Sequence, residues 1–393
     1  MYSQSFTPLE LYACTTQAER RNSGLKKEEF IKAIIDELGQ SLIDGTYQFQ
    51  IKQNGELYLN GRKKSEFGFL CQNLVLRKLF KNIKRIYSIQ QADRNCIVKQ
   101  MIILLEENVD IRVVRLDVRH FYESINREKA LKKIIEDSRL SYHSIILLTS
   151  LFNNAVIKAG EGLPKGLGIS AAMAEIYMKY FDFEIKRIQG VYYYARFVDD
   201  IIVFCSSDRS QREVWSYAEK GLQKLGLELN EEKSYYWQPI QNIPELTYLG
   251  YTFRKEQNSL EVSISAKKLK VIKSRLTWAF VSYAKSHDYD LLKQRIKFLT
   301  GNFTLYRSDS LTPIKVGIYF NYKMATDIKS FDELDRYYQR ILHCQTGRLC
   351  SRFTLSKAEL KSLEKYSFRF GYTNHVNHHF TINQIERITE CWK

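Results

Sequence analysis

Two apolar runs in the middle of the chain flank a pair of acids. The stretch from Val191 to Phe204 is rich in β-branched and aromatic residues on both sides of Asp199-Asp200, which predicts two strands of a tight hairpin with the acids at its tip. A further strand is predicted from Val113, ending in Asp117, after which Phe121, Ile125 and Leu131 fall at helical spacing. Between these elements, Gly160 to Asp182 reads as a glycine-rich loop carrying Lys165 that runs into a helix with small residues at Ala171, Ala172 and Ala174. Gln211 to Leu225 is an amphipathic helix, Gly226 to Ser234 leads into a strand, and Leu246 to Phe253 is a strand. Upstream, Lys26 to Leu42 predicts an amphipathic helix with Phe30, Ile34, Ile35 and Leu38 on one face. Tyr47 to Leu59 alternates around Asn54-Gly55, a hairpin signal. Residues 68 to 90 read as helical and then extended, and an apolar helix follows Arg94 as far as Leu105. From about residue 262 the pattern is helical and rich in Lys, Leu and Ile, so a boundary is placed near 260.

The acids carry the first chemical signal. Two adjacent carboxylates repel each other, and a divalent cation resolves the repulsion. Mg²⁺ prefers hard oxygen ligands and takes one or two carboxylates along with water and phosphate oxygens. An acidic pair on a hairpin tip therefore suggests metal-dependent phosphoryl transfer, against the alternative of an ordinary polar turn. Asp117 at a strand end is a third candidate ligand, with a helix N-cap as its alternative.

Charge narrows the partners. The chain has 393 residues, with 60 Lys and Arg against 44 Asp and Glu, for a formal net charge of +16. Such a surplus suits a polyanion, most simply nucleic acid. The basic stretch Lys78 to Tyr87 offers either phosphate contacts or a solvated face through Lys78, Lys81 and Lys84. Seven scattered cysteines with no CxxC pair read as reduced thiols, which suggests a cytoplasmic protein. His375, His378 and His379 are poorly spaced with Cys344 and Cys350 for zinc. No apolar run approaches a membrane span, and no basic-then-apolar signal opens the chain.

In combination the pieces resemble the palm of reverse transcriptases. The order is strand–Asp117, glycine-rich loop and helix, hairpin Asp199-Asp200, helix with Gly226 to Lys233, and the strand Leu246 to Phe253. The resemblance covers roughly residues 78 to 255. It implies an α+β right-hand polymerase with an N-terminal extension and fingers at 1–115, a palm at 116–258 and a helical thumb and C-terminal region at 259–393. It implies a catalytic set of Asp117, Asp199, Asp200 and Lys233. Two Mg²⁺ ions, with Mn²⁺ as a substitute, would be held by Asp117, Val118, Asp199 and Asp200. Nucleotide binding would fall to Arg85, Arg94, Tyr122, Lys165 and Gly166, with Tyr122 excluding a 2′-hydroxyl. Tyr248, Leu249 and Gly250 would form the primer grip. Two positions depart from the family pattern: Lys165 replaces the usual Gln, and Phe197 replaces the usual hairpin Tyr.

The finer resemblance is to bacterial defence-associated (antiphage) reverse transcriptases, through Phe121 to Ile125, Gly162 to Ser170 and Ala195 to Asp200. Gln4-Ser-Phe-Thr-Pro8 and Val316-Gly-Ile-Tyr-Phe-Asn-Tyr322 resemble one subunit of the type III two-polymerase systems. That implies an RNA template that is a structured noncoding RNA, dNTPs, a DNA product, and a second reverse transcriptase in a higher oligomer. Two other readings stay open: an RNA-templated RNA polymerase and a non-catalytic nucleic-acid-binding scaffold.

Overall fold

The computed structural model describes residues 2–53, 57–59, 67–90, 92–107, 109–164, 166–237, 245–256, 259–305, 313–344 and 354–392. It divides into two compact units, residues 1–94 with 109–242 and residues 95–108 with 243–393. Helices and antiparallel sheets are mixed, as the α+β expectation required.

In the first unit, α1 (Lys27–Ile43) buries Phe30, Ile34 and Leu38, while Ile35 is 51% exposed. The apolar face is thus narrower than the sequence suggested. The strands β1 (Ile51–Gln53) and β2 (Leu57–Leu59) pair antiparallel, with Ile51 opposite Leu59. Their expected turn at Asn54-Gly55 lies outside the described residues. Helix α2 (Phe67–Ile86) then crosses the unit and buries Leu74, Val75, Leu79 and Ile83. It is followed by a turn at Tyr87-Ser88, with no strand over the segment expected to be extended.

Lys78 corrects one expectation outright. Its side chain is 2% exposed, and Nζ donates to Glu10 and to the Ser3 carbonyl, each at 2.8 Å. It belongs neither to a solvated basic face nor to a phosphate site, because a buried ammonium must keep its charge partner. One turn on, the fully buried Asn82 accepts from the Tyr2 hydroxyl at 2.9 Å. It donates to the Gln4 carbonyl at 2.9 Å and to Ser144 Oγ at 3.0 Å. These contacts strap the N-terminal segment onto α2. Asn82→Ala removes three hydrogen bonds at once, from Tyr2, to Gln4 and to Ser144, so a loss of about 1–3 kcal/mol is expected. Denaturant melts would show it, and an unchanged midpoint would refute the strap's role.

Helix α3 (Arg94–Glu106) starts at the unit boundary. The chain then enters β3 (Arg112–Asp117). The helical pattern after Asp117 is broken in two, α4 (Phe121–Ser124) and α5 (Arg127–Asp137). The Asn126 side chain causes the break: it accepts from Lys129 N at 2.8 Å and caps the second helix. After α6 (Tyr142–Asn153) and α7 (Gly168–Arg187) come the hairpin strands β4 (Val191–Phe197) and β5 (Asp200–Cys205). Next are α8 (Asp208–Leu225) and β6 (Tyr235–Trp237). The sheet runs β4-β5-β3-β6, antiparallel throughout. Helix α7 packs on β4, and α8 packs on β3 and β5. Their Ile169, Met173, Ile176, Val214 and Ala218 share one core with Val114, Leu116, Ile201 and Val203. This burial fixes the register: a slip by one residue would turn the apolar set outward.

In the second unit, β7 (Leu246–Tyr248), β8 (Tyr251–Glu256) and β9 (Ser259–Ile264) form an antiparallel meander. The single strand expected over 246–253 is therefore two strands. Tyr248 pairs with Tyr251 around Leu249-Gly250, whose φ values of +47° and +83° make a tight primed turn. Leucine is a poor residue for that backbone, so the turn left no signal in the sequence. Long helices follow as expected, α9 (Ala266–Ser286), α10 (Tyr289–Thr300) and α11 (Lys329–Leu342). The helical expectation missed a three-stranded sheet of Asn302–Leu305, Ile314–Gly317 and Asn377–His378. Its keystone is buried Asn302, which donates to the Gly371 and Val376 carbonyls and accepts from Tyr319 N. Those partners lie far along the chain, beyond any local pattern.

Among the described residues, no helix is long and apolar enough to cross a membrane. Cys14, Cys71, Cys96, Cys205 and Cys391 are free, but Cys344 is disulfide-bonded, which corrects the expectation of reduced thiols throughout.

Candidate active site

The sheet brings the three expected acids to one end. Asp117 closes β3 directly opposite Asp200, which opens β5. Asp199 sits with Val198 in the two-residue loop between the paired Phe197 and Asp200. The Val118 N–H donates to the Asp199 carbonyl at 3.1 Å, tying the hairpin tip to the end of β3.

Each acid has its own partners. The Asp117 carboxylate is 8% exposed and accepts from Lys233 Nζ at 3.1 and 3.3 Å. It also accepts from Asn230 Nδ2 at 3.0 Å. The Asp117 N–H donates to Ser234 Oγ at 3.0 Å, and its carbonyl accepts from Asn230 N at 2.8 Å. The turn from Asn230 to Ser234 therefore wraps the end of β3. Asp200 pairs with Arg115, whose Nε and Nη2 each lie 3.3 Å from its oxygens. Arg115 reaches across because side chains two apart on a strand share a face. Its Nη1 also donates to the Tyr235 hydroxyl at 3.2 Å.

The electrostatics follow from this crowding. Burial pushes Asp200 up to about 6; Arg115 opposes the rise, and the Asp117 and Asp199 charges add to it. Asp199 is also raised, first by burial and then by Asp117 and Glu123, against its own backbone hydrogen bond and Lys233. The Tyr122 phenol is raised by burial, Glu175 and Asp199, so it feels the same negative field. Hence two of the acids are held where the ionised form is costly, a recurrent property of functional carboxylates.

This donor set fits Mg²⁺ chemically: hard carboxylate oxygens beside the Val118 backbone, in a field that penalises uncompensated negative charge. Among the described residues, no three His, Cys, Asp or Glu side chains form a ready-made metal cage. Arg115 and Lys233 engage two of the acids instead. Mg²⁺ does not require such a cage, since one or two carboxylates usually suffice alongside substrate phosphates.

The glycine-rich loop docks beside the acids' strand. Leu163 N–H donates to the Tyr122 carbonyl at 2.7 Å, and Ser170 Oγ donates to the Pro164 carbonyl at 2.6 Å. Gly162 has φ +61°, and a Cβ there would lie 2.2 Å from the Tyr122 oxygen. The loop thus sets the backbone from which the Tyr122 ring projects, edge-on to Phe121 at 5.4 Å. Gly166 has φ +87° in the turn before α7. Lys165 lies outside the described residues.

Arg85, in the last turn of α2, places its guanidinium 4.8 Å from the Tyr2 ring centroid. With Tyr2, Lys81 and Lys84 it lines a cavity of about 420 Å³. Arg94 is the first residue of α3. Tyr248, Leu249 and Gly250 form the β7–β8 turn of the second unit. Reading the sequence missed Arg115, Asn230, Ser234 and Arg196. Only Arg115 had a readable signal, its two-residue offset from Asp117.

Residues 71–253 match a family model described as reverse transcriptase (RNA-dependent DNA polymerase). No curated protein matches the chain in sequence. Among solved structures, apo telomerase from Candida tropicalis aligns at a TM-score of 0.40 and 13% identity, over 95% of this chain and 62% of that one. Telomerase from Candida tropicalis in complex with a TWJ fragment of telomeric RNA aligns at 0.38 and 15%, over 82% and 56%. The equivalent complex from Candida albicans aligns at 0.36 and 11%, over 81% and 53%. The chain spans between about half and three-fifths of the length of these structures. The three acids, the hairpin and the glycine-rich loop all fall inside the matched stretch, so residues 71–253 carry a domain similar to the reverse transcriptases, with the α+β fold of a right-hand polymerase.

Proposed function

We propose that this chain is an RNA-directed DNA polymerase, extending a primer 3′-hydroxyl by attack on the α-phosphate of a dNTP with release of pyrophosphate. The observation that carries this reading is Asp117 set opposite Asp200, with Asp199 tied beside them, at one end of the sheet inside the matched stretch. Asp117, Asp199, Asp200 and the Val118 backbone would hold two Mg²⁺ ions, for which Mn²⁺ substitutes. When bound, such ions stabilise the attacking and leaving oxygens of an in-line displacement. Lys233 Nζ lies 3.1 Å from Asp117 and is half-exposed, a position from which it would donate a proton to the leaving pyrophosphate. Tyr122 would close the sugar pocket against a 2′-hydroxyl. Arg85, Arg94, Lys165 and Gly166 would contact the nucleotide, and Tyr248 to Gly250 the primer strand.

The net charge of +16 supports a nucleic-acid template. The motif resemblance further supports a structured noncoding RNA as template, a second reverse transcriptase as partner in a higher oligomer, and a role in antiviral defence.

The direct test is extension of oligo(dT) on poly(rA) with dTTP and Mg²⁺, beside UTP. Wild-type protein is expected to use dTTP. Tyr122→Ala is expected to shift the preference toward UTP by about 10- to 100-fold, roughly 1–3 kcal/mol of lost steric exclusion. A wild-type preference for UTP would replace this reading with an RNA polymerase. No incorporation of either nucleotide would favour the binding scaffold.

A further inference from the structure

Arg196 is the least exposed cation near the acids, and its contacts have a direction. Its side chain is 4% exposed. Nε and Nη2 donate to the two oxygens of Asp182 at 2.9 and 2.7 Å. Nη1 and Nη2 donate to the two oxygens of Glu175 at 3.1 and 2.7 Å. Asp182 also accepts from the Tyr194 hydroxyl at 2.6 Å. Both carboxylates belong to α7, two turns apart on one face. The guanidinium is thus anchored to the helix that backs the hairpin.

The remaining contact points at the hairpin loop. Arg196 Nη1 donates to the Val198 carbonyl at 3.2 Å. Val198 has φ +63° and immediately precedes Asp199. That loop position in a two-residue hairpin ordinarily takes glycine. A β-branched residue with positive φ is a true outlier, costing roughly 1–3 kcal/mol, and persists only where its surroundings over-determine it. A buried ion cluster is weak evidence for stability, since apolar packing of similar volume often serves as well. What apolar packing cannot do is hold a specific carbonyl.

We propose that Arg196, clamped by Glu175 and Asp182, is a positioning residue that pins the strained Val198-Asp199 loop and so aims Asp199 for the polymerase reaction. The catalytic half of this inference rests on the reading given under Proposed function. The pinning of the loop does not.

The test uses the full chain with Arg196→Lys, Val198→Gly and the double variant. Lysine keeps the charge but cannot span two carboxylates and a carbonyl in one plane. Arg196→Lys is expected to lower kcat for dTTP incorporation about 10- to 100-fold with little change in KM, the scale of a small misplacement of a catalytic group. Amide hydrogen exchange in peptides spanning 196–201 should rise. Val198→Gly accepts positive φ without strain, so the double variant should recover most of kcat and of the protection. A merely structural Arg196 would lower melting temperature and active fraction, with no rescue by glycine, and that result overturns the proposal. Retention of kcat and of exchange protection by Arg196→Lys overturns it equally. If wild-type protein incorporates nothing, the polymerase reading fails while hydrogen exchange still decides the pinning. If Arg196→Lys does not fold, Glu175→Gln replaces it, with a smaller loss of the same sign expected and no loss refuting the clamp.

Discussion

Asp199→Asn is expected to abolish templated DNA synthesis, with a loss of at least about a thousandfold in kcat, on the scale seen when a preorganised electrostatic group is removed. Asparagine keeps the size and shape of the side chain, so the loop and its link to Val118 should persist. What disappears is the charge. The same folded scaffold should behave differently in a melt. The Asp199 carboxyl is raised by burial and by Asp117, so its ionised form is the disfavoured one in the folded protein. A folded-state pKa above the unfolded value means that the relief conferred by protonation is fully present at low pH. It is lost as pH rises through the folded value. At pH 7, in EDTA, Asp199→Asn should therefore melt no lower than wild type. Asp117→Asn should also silence synthesis, but without that tolerance, because Lys233 would lose its partner. Robust synthesis by Asp199→Asn would remove the acids from the mechanism. A melting temperature several degrees below wild type would show that Asp199 supports the fold instead.

Gly162→Ala should be the most damaging single methyl in the glycine-rich loop. The added Cβ would lie 2.2 Å from the Tyr122 carbonyl oxygen and 2.3 Å from that of Glu123, both backbone atoms that cannot swing aside. The residue also sits at φ +61°. The left-handed conformation alone costs about 1–2 kcal/mol for an L-residue, and displacing α4 adds to that. Gly226→Ala is the matched control. It has φ +73° at the C-cap of α8, but a Cβ there meets nothing within 4 Å. Denaturant midpoints should fall clearly further for Gly162→Ala than for Gly226→Ala. Tyr122 would move with its backbone, so sugar discrimination should weaken in the first variant and not in the second. Equal destabilisation by the two would show that the loop does not bear on α4.

Elements defined by neighbours along the chain were legible. The hairpin of β4 and β5 follows from β-branched and aromatic runs on either side of the acids, and it formed where the pattern put it. The end of β3 at Asp117 and the amphipathic α8 were equally readable. The Leu249-Gly250 turn was not, since Tyr248 to Tyr251 carries no polar break. Lys78 was misread because a charge in sequence looks solvent-bound until its partner is known.

Strand identity, hairpin position and the choice of acids are local chemistry, set within a few residues by side-chain shape and backbone preference. The site itself is a matter of pairing. Arg115 and Asp200 meet across 85 positions, and Lys233 meets Asp117 across 116. Register and burial decided those meetings, together with the hold of α7 on Arg196. No local pattern carries them, because closing such long loops is driven by the shared core and not by the residues that end up side by side.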